Sequence, residues 1–192
     1  TLGGAVAGVG IESSSHRHGL VHDGMLELDV LLGDGRVVTC TPDNEHRDLF
    51  FGFPNSYGTL GYALRVRAKT IPVKPFVHLR HVPFASFSEL QKILDAKSED
   101  FVDATVFGPG KLFMTLGRFI DSAPYTSDYK FEKIYYRSIA EREEDTLTIS
   151  DYLWRWDTDW FWCSKNVLAQ HPLVRRLLGR ERLNSITYQK IM

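Results

Sequence analysis

The chain has 192 residues, 43% of them hydrophobic and 24% charged, with a formal net charge of −1. This near-neutral balance lacks the basic footprint of a nucleic-acid binder, and no apolar run approaches the ~20 residues of a bilayer-spanning helix. Its two cysteines, Cys40 and Cys163, have no CxxC spacing, so neither a disulfide framework nor a metal site is expected, and a reducing, cytoplasmic compartment is the default reading.

Residues 1–20, TLGGAVAGVGIESSSHRHGL, read as a Gly/Ser-rich loop. Residues 26–32 and 36–40 read as the two strands of a hairpin, with Asp34-Gly35 at the turn. Asp48–Phe51 starts a short helix or turn. Gly58-Thr59-Leu60-Gly61 is a second Gly turn, and residues 62–72 form a strand of alternating pattern. Leu64, Val66 and Ala68 are expected on one face, with Arg65, Arg67 and Lys69 on the other. Pro72 and Pro75 close this unit, which places a domain boundary between residues 75 and 76.

A strand is expected over 77–82, and a helix over 86–97 with Phe87, Leu90, Ile93 and Leu94 as its apolar stripe. Strands follow at 101–107 and 111–119, around Gly108-Pro109-Gly110. This order predicts an α+β sheet covered on one face by helix. Residues 121–150 read as loop-rich. All four tryptophans fall in 151–163, DYLWRWDTDWFWC, and a short helix is expected over 171–179, with Gly179 at its end. The alternating 186–191 reads as a strand. An opening in a Gly-rich turn without Met and an end inside such a strand read as an interior piece of a longer chain.

The chemistry-bearing feature is the opening. Gly3, Gly4, Gly8 and Gly10 fall within ten residues, separated only by small or branched apolar residues. Glycine lets a ligand or a second backbone come close, and converging bare amides make an anion-binding concavity suited to a pyrophosphate. The pattern is neither a P-loop nor GxGxxG. On the residues alone, a tight turn between strands stays equally open.

Three segments in order, TLGGAVAGVGIESSSHRHGL, ELDVLLGDGRVVTCT and RDLFFGFPNSYGTLGYALRVRAKTIP, resemble the second subdomain of the vanillyl-alcohol-oxidase or PCMH-type FAD-binding domain. GIESSSHRHGL is most similar to the delta(24)-sterol reductase family. Beyond residue 76 the resemblance is looser. It implies an α+β chain in which residues 1–75 are the C-terminal part of an FAD-binding domain and residues 76–192 begin a substrate domain.

It also implies FAD as cofactor, with contacts from Thr1, Leu2, Gly3, Gly4, Gly8, Gly10, Ile11, Glu12 and Ser13, and from Gly61 and Tyr62. The implied activity is reduction of a carbon–carbon double bond in a sterol-like substrate, with NADPH supplying the hydride through flavin. An FAD oxidase of an alcohol or hydroxy acid, and a non-catalytic remnant of the fold, are the alternatives. No catalytic residue is assigned.

His16 and His18, flanking Arg17, suit either a proton-handling group near flavin or a solvated loop. The tryptophans suit either a core or the wall of an apolar substrate pocket. With Leu177 and Leu178 they leave contact with a membrane surface open. Arg175, Arg176, Arg180 and Arg182 read as a solvated helix face.

Overall fold

Asp34 explains the first hairpin. Its carboxylate accepts from the Arg36 amide at 3.0 Å and from Arg36 Nε at 2.7 Å, while Gly35 takes φ +86°, which a tight turn requires. The flanking strands are β1 (Met25–Leu31) and β2 (Val37–Cys40), paired antiparallel with Asp29 opposite Thr39. The computed structural model describes residues 1–129, 134–156, 168–184, 186–187 and 190. They form two compact units, Thr1–Pro72 and Val73–Met192.

In the first unit, β3 (Tyr62–Ala68) completes an antiparallel sheet of order β2-β1-β3. Leu28, Val30, Val38 and Cys40 face inward at every second position. Val6, Phe50 and Phe53 close over them, and each such side chain stabilises the unit by about 1.5–3 kcal/mol. Phe50 lies on α3 (Arg47–Gly52), where a short helix or turn is expected. Burial raises the pKa of the Cys40 thiol.

The opening is not a loop. It contains α1 (Leu2–Ala7) and α2 (Ser15–His18), and a 3-10 turn, Val21–Gly24, follows it. Glycines lower helix propensity, but burial of Val6 and the Thr1 cap, whose hydroxyl accepts from the Gly4 amide at 3.2 Å, hold α1 in place.

The expected alternation in β3 also breaks. Arg65 pairs with Asp29 and Ala63 with Val30, so Leu64 is an extra residue, a β-bulge. Leu64 is therefore exposed, and Ala63 and Val66 join the core instead. On the outer face, Arg65 bonds to Asp29 at 2.6 Å and to Glu27 at 2.7 Å, and the Thr39 hydroxyl donates to Asp29 at 2.8 Å. Those bonds hold the Asp29 carboxyl below the usual carboxylate range.

The second unit is an antiparallel sheet of order β5-β6-β4-β7. Its strands are β4 (Phe76–Pro83), β5 (Phe101–Gly108), β6 (Lys111–Ile120) and β7 (Glu144–Thr148). Helix α4 (Phe87–Ala96) lays Leu90, Ile93 and Leu94 against Val102, Met114 and Leu116, while Phe87 stays exposed and meets Phe84 edge-on. Lys97, at φ 48°, ends it. The other face is covered by Tyr129, by Tyr135 and Ile139 around α5 (Tyr135–Ser138), and by Tyr152 on α6 (Ile149–Leu153).

Strand β7 lies inside the stretch expected to be loop. Its sequence EDTLT carries little strand signal, and it becomes a strand by pairing with β4. The last helix, α7 (Pro172–Arg182), runs past Gly179. Arg175 on it is buried rather than solvated. Ile186 and Thr187 are helical, not extended. Trp160, Trp162 and Cys163 lie outside the described residues. Trp156 meets Tyr135 edge-on, and Trp154 is exposed.

Candidate functional site

A groove of about 690 Å³ lies within the first unit, between α1, β3 and the turn at 57–58. That volume falls in the range of small-molecule and cofactor sites, ~300–1,000 Å³. One wall is glycine. Gly4 lies on α1 and Gly8 caps its C-terminal end, and both line the groove without a side chain. A Cβ on Gly4 would meet only the Thr1 hydroxyl, at 3.1 Å.

Gly3 lets the helix lie on the strand, since a Cβ there would come within 3.2 Å of the Ala63 carbonyl oxygen. Gly61 is constrained most. It has φ +130°, and a Cβ would lie 2.3 Å from the Leu31 carbonyl oxygen. Phe53, Tyr57, Tyr62 and Leu64 also line it. The groove follows β3, which among the described strands pairs only with β1.

Seven of the eleven expected site residues line this groove: Thr1, Leu2, Gly3, Gly4, Gly8, Gly61 and Tyr62. The other four do not. Gly10 packs where a Cβ would touch Ala5 and Val21, each at 3.2 Å. Ile11 and Glu12 are exposed and Ser13 is half-buried; the Glu12 amide donates to Ser15 Oγ at 2.9 Å. His16 Nδ1 lies 3.2 Å from the Ser13 carbonyl oxygen, and neither His16 nor His18 lines the groove.

The expectation of bare amides needs correction. The Gly4 amide is held by Thr1 Oγ1, Ala5 by the Thr1 carbonyl, Gly8 by Gly4, Val9 by Val6 and Gly10 by Ala5. Helix formation consumes these donors, so the segment is not an open nest of N–H groups. What it offers is a smooth glycine surface. No charged side chain is among the lining residues described. The sequence reading missed Phe53, Tyr57 and Leu64 as lining residues. No local pattern marked Tyr57, and the bulge hid Leu64.

Among the described residues no cluster of three or more His, Cys, Asp or Glu could hold a metal ion, and no helix is long and apolar enough to cross a membrane.

Comparison with known proteins gives the groove its context. No protein-family model matches the chain. The chain is 34% identical over 135 residues to the delta(24)-sterol reductase of Pisum sativum, a match covering 62% of this chain and 24% of the relative. The Homo sapiens delta(24)-sterol reductase is 28% identical over 195 residues, covering 93% of this chain and 38% of the relative. The sequence relationship is to the delta(24)-sterol reductases.

The resemblance seen in the opening segments thus holds across nearly the whole chain. The chain spans between 24% and 38% of the length of these two reductases. Cytokinin dehydrogenase 9 of Oryza sativa subsp. japonica is 30% identical over 114 residues, 55% of this chain and 21% of that protein. By name, then, these relatives are oxidoreductases.

The crystal structure of a carbohydrate oxidase from Microdochium nivale in complex with a substrate analogue aligns with a TM-score of 0.53. It covers 79% of this chain and 34% of that one, at 19% identity. That likeness concerns the fold, and the α+β class follows from it and from the two sheets described.

Proposed function

We propose that this chain is part of an FAD-dependent oxidoreductase that reduces a carbon–carbon double bond in a sterol-like substrate with a hydride from NADPH. In this reading residues 1–75 belong to the FAD-binding domain and residues 76–192 to the substrate domain. The observation that carries it is the groove that gathers Gly4 and Gly8 at α1 and Gly61-Tyr62 along β3, in a chain related to delta(24)-sterol reductases.

The residues present fit the cofactor. A flat, extended dinucleotide needs a long smooth wall, and Gly4 and Gly8 leave one where any larger residue would fill it. Thr1, Leu2, Gly3, Gly4, Gly8, Gly61 and Tyr62 would hold it. FAD, when bound, supplies the redox chemistry. The chain's part is to exclude water with Leu2, Phe53 and Leu64, and to orient the cofactor with Tyr57 and Tyr62. Gly10, Ile11, Glu12 and Ser13 would contact it only through a ligand reaching beyond the groove.

The test is a titration of the full-length protein with FAD. Gly4→Leu would put a side chain into the groove while replacing a poor helix former by a good one. The expected result is FAD affinity lowered at least about tenfold, with the urea midpoint read alongside because the new Cβ would press on the Thr1 cap hydroxyl. Unchanged affinity in this variant would remove the groove from the proposal. Anaerobic bleaching of the flavin's visible band by NADPH, followed by recovery with a sterol alkene, would test the reductase assignment. Bleaching by an alcohol or hydroxy acid with recovery by oxygen, and no response to NADPH, would favour the oxidase alternative.

A further inference from the structure

We infer that Tyr57 is the stacking residue of this groove, laying its ring on a planar heteroaromatic ring of the bound dinucleotide. This rests on the reading of the groove as the FAD site. Tyr57 is 74% exposed although its side chain is large and largely apolar. Its backbone is left-handed, at φ 49°, a conformation that side chains other than Gly, Asn and Asp rarely adopt.

Such a residue persists only where its surroundings fix it. Here the fixing contacts are visible. The Tyr57 amide donates to the Ala7 carbonyl at 3.1 Å, which ties the turn to the C-terminal end of α1. The ring lines the groove beside Gly8, where a Cβ would lie 4.0 Å from Tyr57 Cε1. Gly58, at φ +84°, follows directly and lets the chain turn away. The turn therefore presents an aromatic ring to the groove without burying it in the core.

The chemistry of the groove selects a ring as the guest at this point. No charged side chain lines it among the described residues, and the α1 amides that could hold a diphosphate are largely spent on the helix. The exposed ring of Tyr57 offers a π face beside the bare backbone of Gly8. Either the isoalloxazine or the adenine of FAD is flat enough to lie on that face, and stacking of this kind contributes substantially to binding.

The experiment uses the full-length protein with Tyr57→Asn and Tyr57→Phe. Asn removes the ring and is tolerated in left-handed backbone, so folding is preserved; an unchanged urea midpoint checks this. Tyr57→Asn is expected to weaken FAD binding about tenfold and to raise the fluorescence of the bound flavin or adenine analogue, with Tyr57→Phe near the parent. Titration with FMN and with ADP assigns the ring: a loss for FMN marks the isoalloxazine, and a loss for ADP marks the adenine. If Tyr57→Asn binds FAD as well as the parent while Gly4→Leu binds it poorly, the stacking role is overturned and the groove stands. If neither variant loses affinity, both fall together.

Discussion

In residues 1–72 the sheet turns its polar side chains outward. Glu27, Asp29, Thr39 and Arg65 bond to one another on the outer face, and the inner face is apolar. In residues 73–192 the sheet carries polar groups inside. His81, Thr115 and Asp145 are buried among Leu79, Tyr129, Tyr135 and Leu147. His81 Nδ1 meets Thr115 Oγ1 at 2.9 Å, and Asp145 accepts from the Tyr129 hydroxyl and faces Arg142 at 3.5 Å. Arg155 lies over the Tyr152 ring at 3.9 Å and bonds to Asp103 at 3.1 Å. Burial together with the bond to Asp145 raises the Tyr129 pKa above the usual phenol range. The contrast separates two uses of polarity. The first unit keeps its interior simple and spends its special geometry on an open groove, whereas the second fixes its own packing with internal bonds whose loss is expensive.

The largest expected effect lies in the second unit. Asp145→Ala removes the carboxylate shared by the Tyr129 hydroxyl and Arg142, which keep Ser138 and Ser127, and should cost about 3 kcal/mol in urea unfolding. Asp29→Asn on the outer face of the first sheet should barely move the midpoint. Equal effects from the two would erase the contrast.

Backbone geometry comes next. Gly61→Ala drives a methyl into the Leu31 carbonyl at a φ of +130°, and should cost at least ~2 kcal/mol. Gly58→Ala, with nothing within 4 Å of the added carbon, should cost only about 1 kcal/mol. The same denaturation experiment compares them.

A smaller effect comes from pH. Burial lowers the His81 pKa below its usual value near 6.5. The unfolded chain therefore takes up the proton first, so stability is full above about pH 6.5 and falls as the pH drops from there toward the folded value. The thermal midpoint should decline across that window, and His81→Phe should flatten the decline.

Legibility from sequence follows the same divide. The hairpin was readable because Asp34-Gly35 states its turn chemistry locally. The four-stranded sheet was readable in three strands, but β7 was not, because EDTLT with its two acidic residues becomes strand only by pairing with β4, where Asp145 is buried against the Tyr129 hydroxyl and Arg142. Helix α1 was hidden by its glycines, since the Thr1 cap and the burial of Val6 depend on the fold. In the candidate site, glycine spacing marked Gly3, Gly4 and Gly8, and the family resemblance added Thr1, Leu2, Gly61 and Tyr62, all of which line one groove. The spacing could not show that the helix would use up its own amides. It also could not show Tyr57, because a left-handed tyrosine has no local pattern.

The extra residue in β3 has a consequence for shape. Deleting one position there would bring Leu64 opposite Val30, into the place where Ala63 now meets Gly3. A leucine under that glycine would lift α1 off the strand by the thickness of a side chain and fill the hollow from below. The cleft is in this sense a phase slip made permanent: one surplus amino acid resets which side chains point up, and the small one lands beneath the helix.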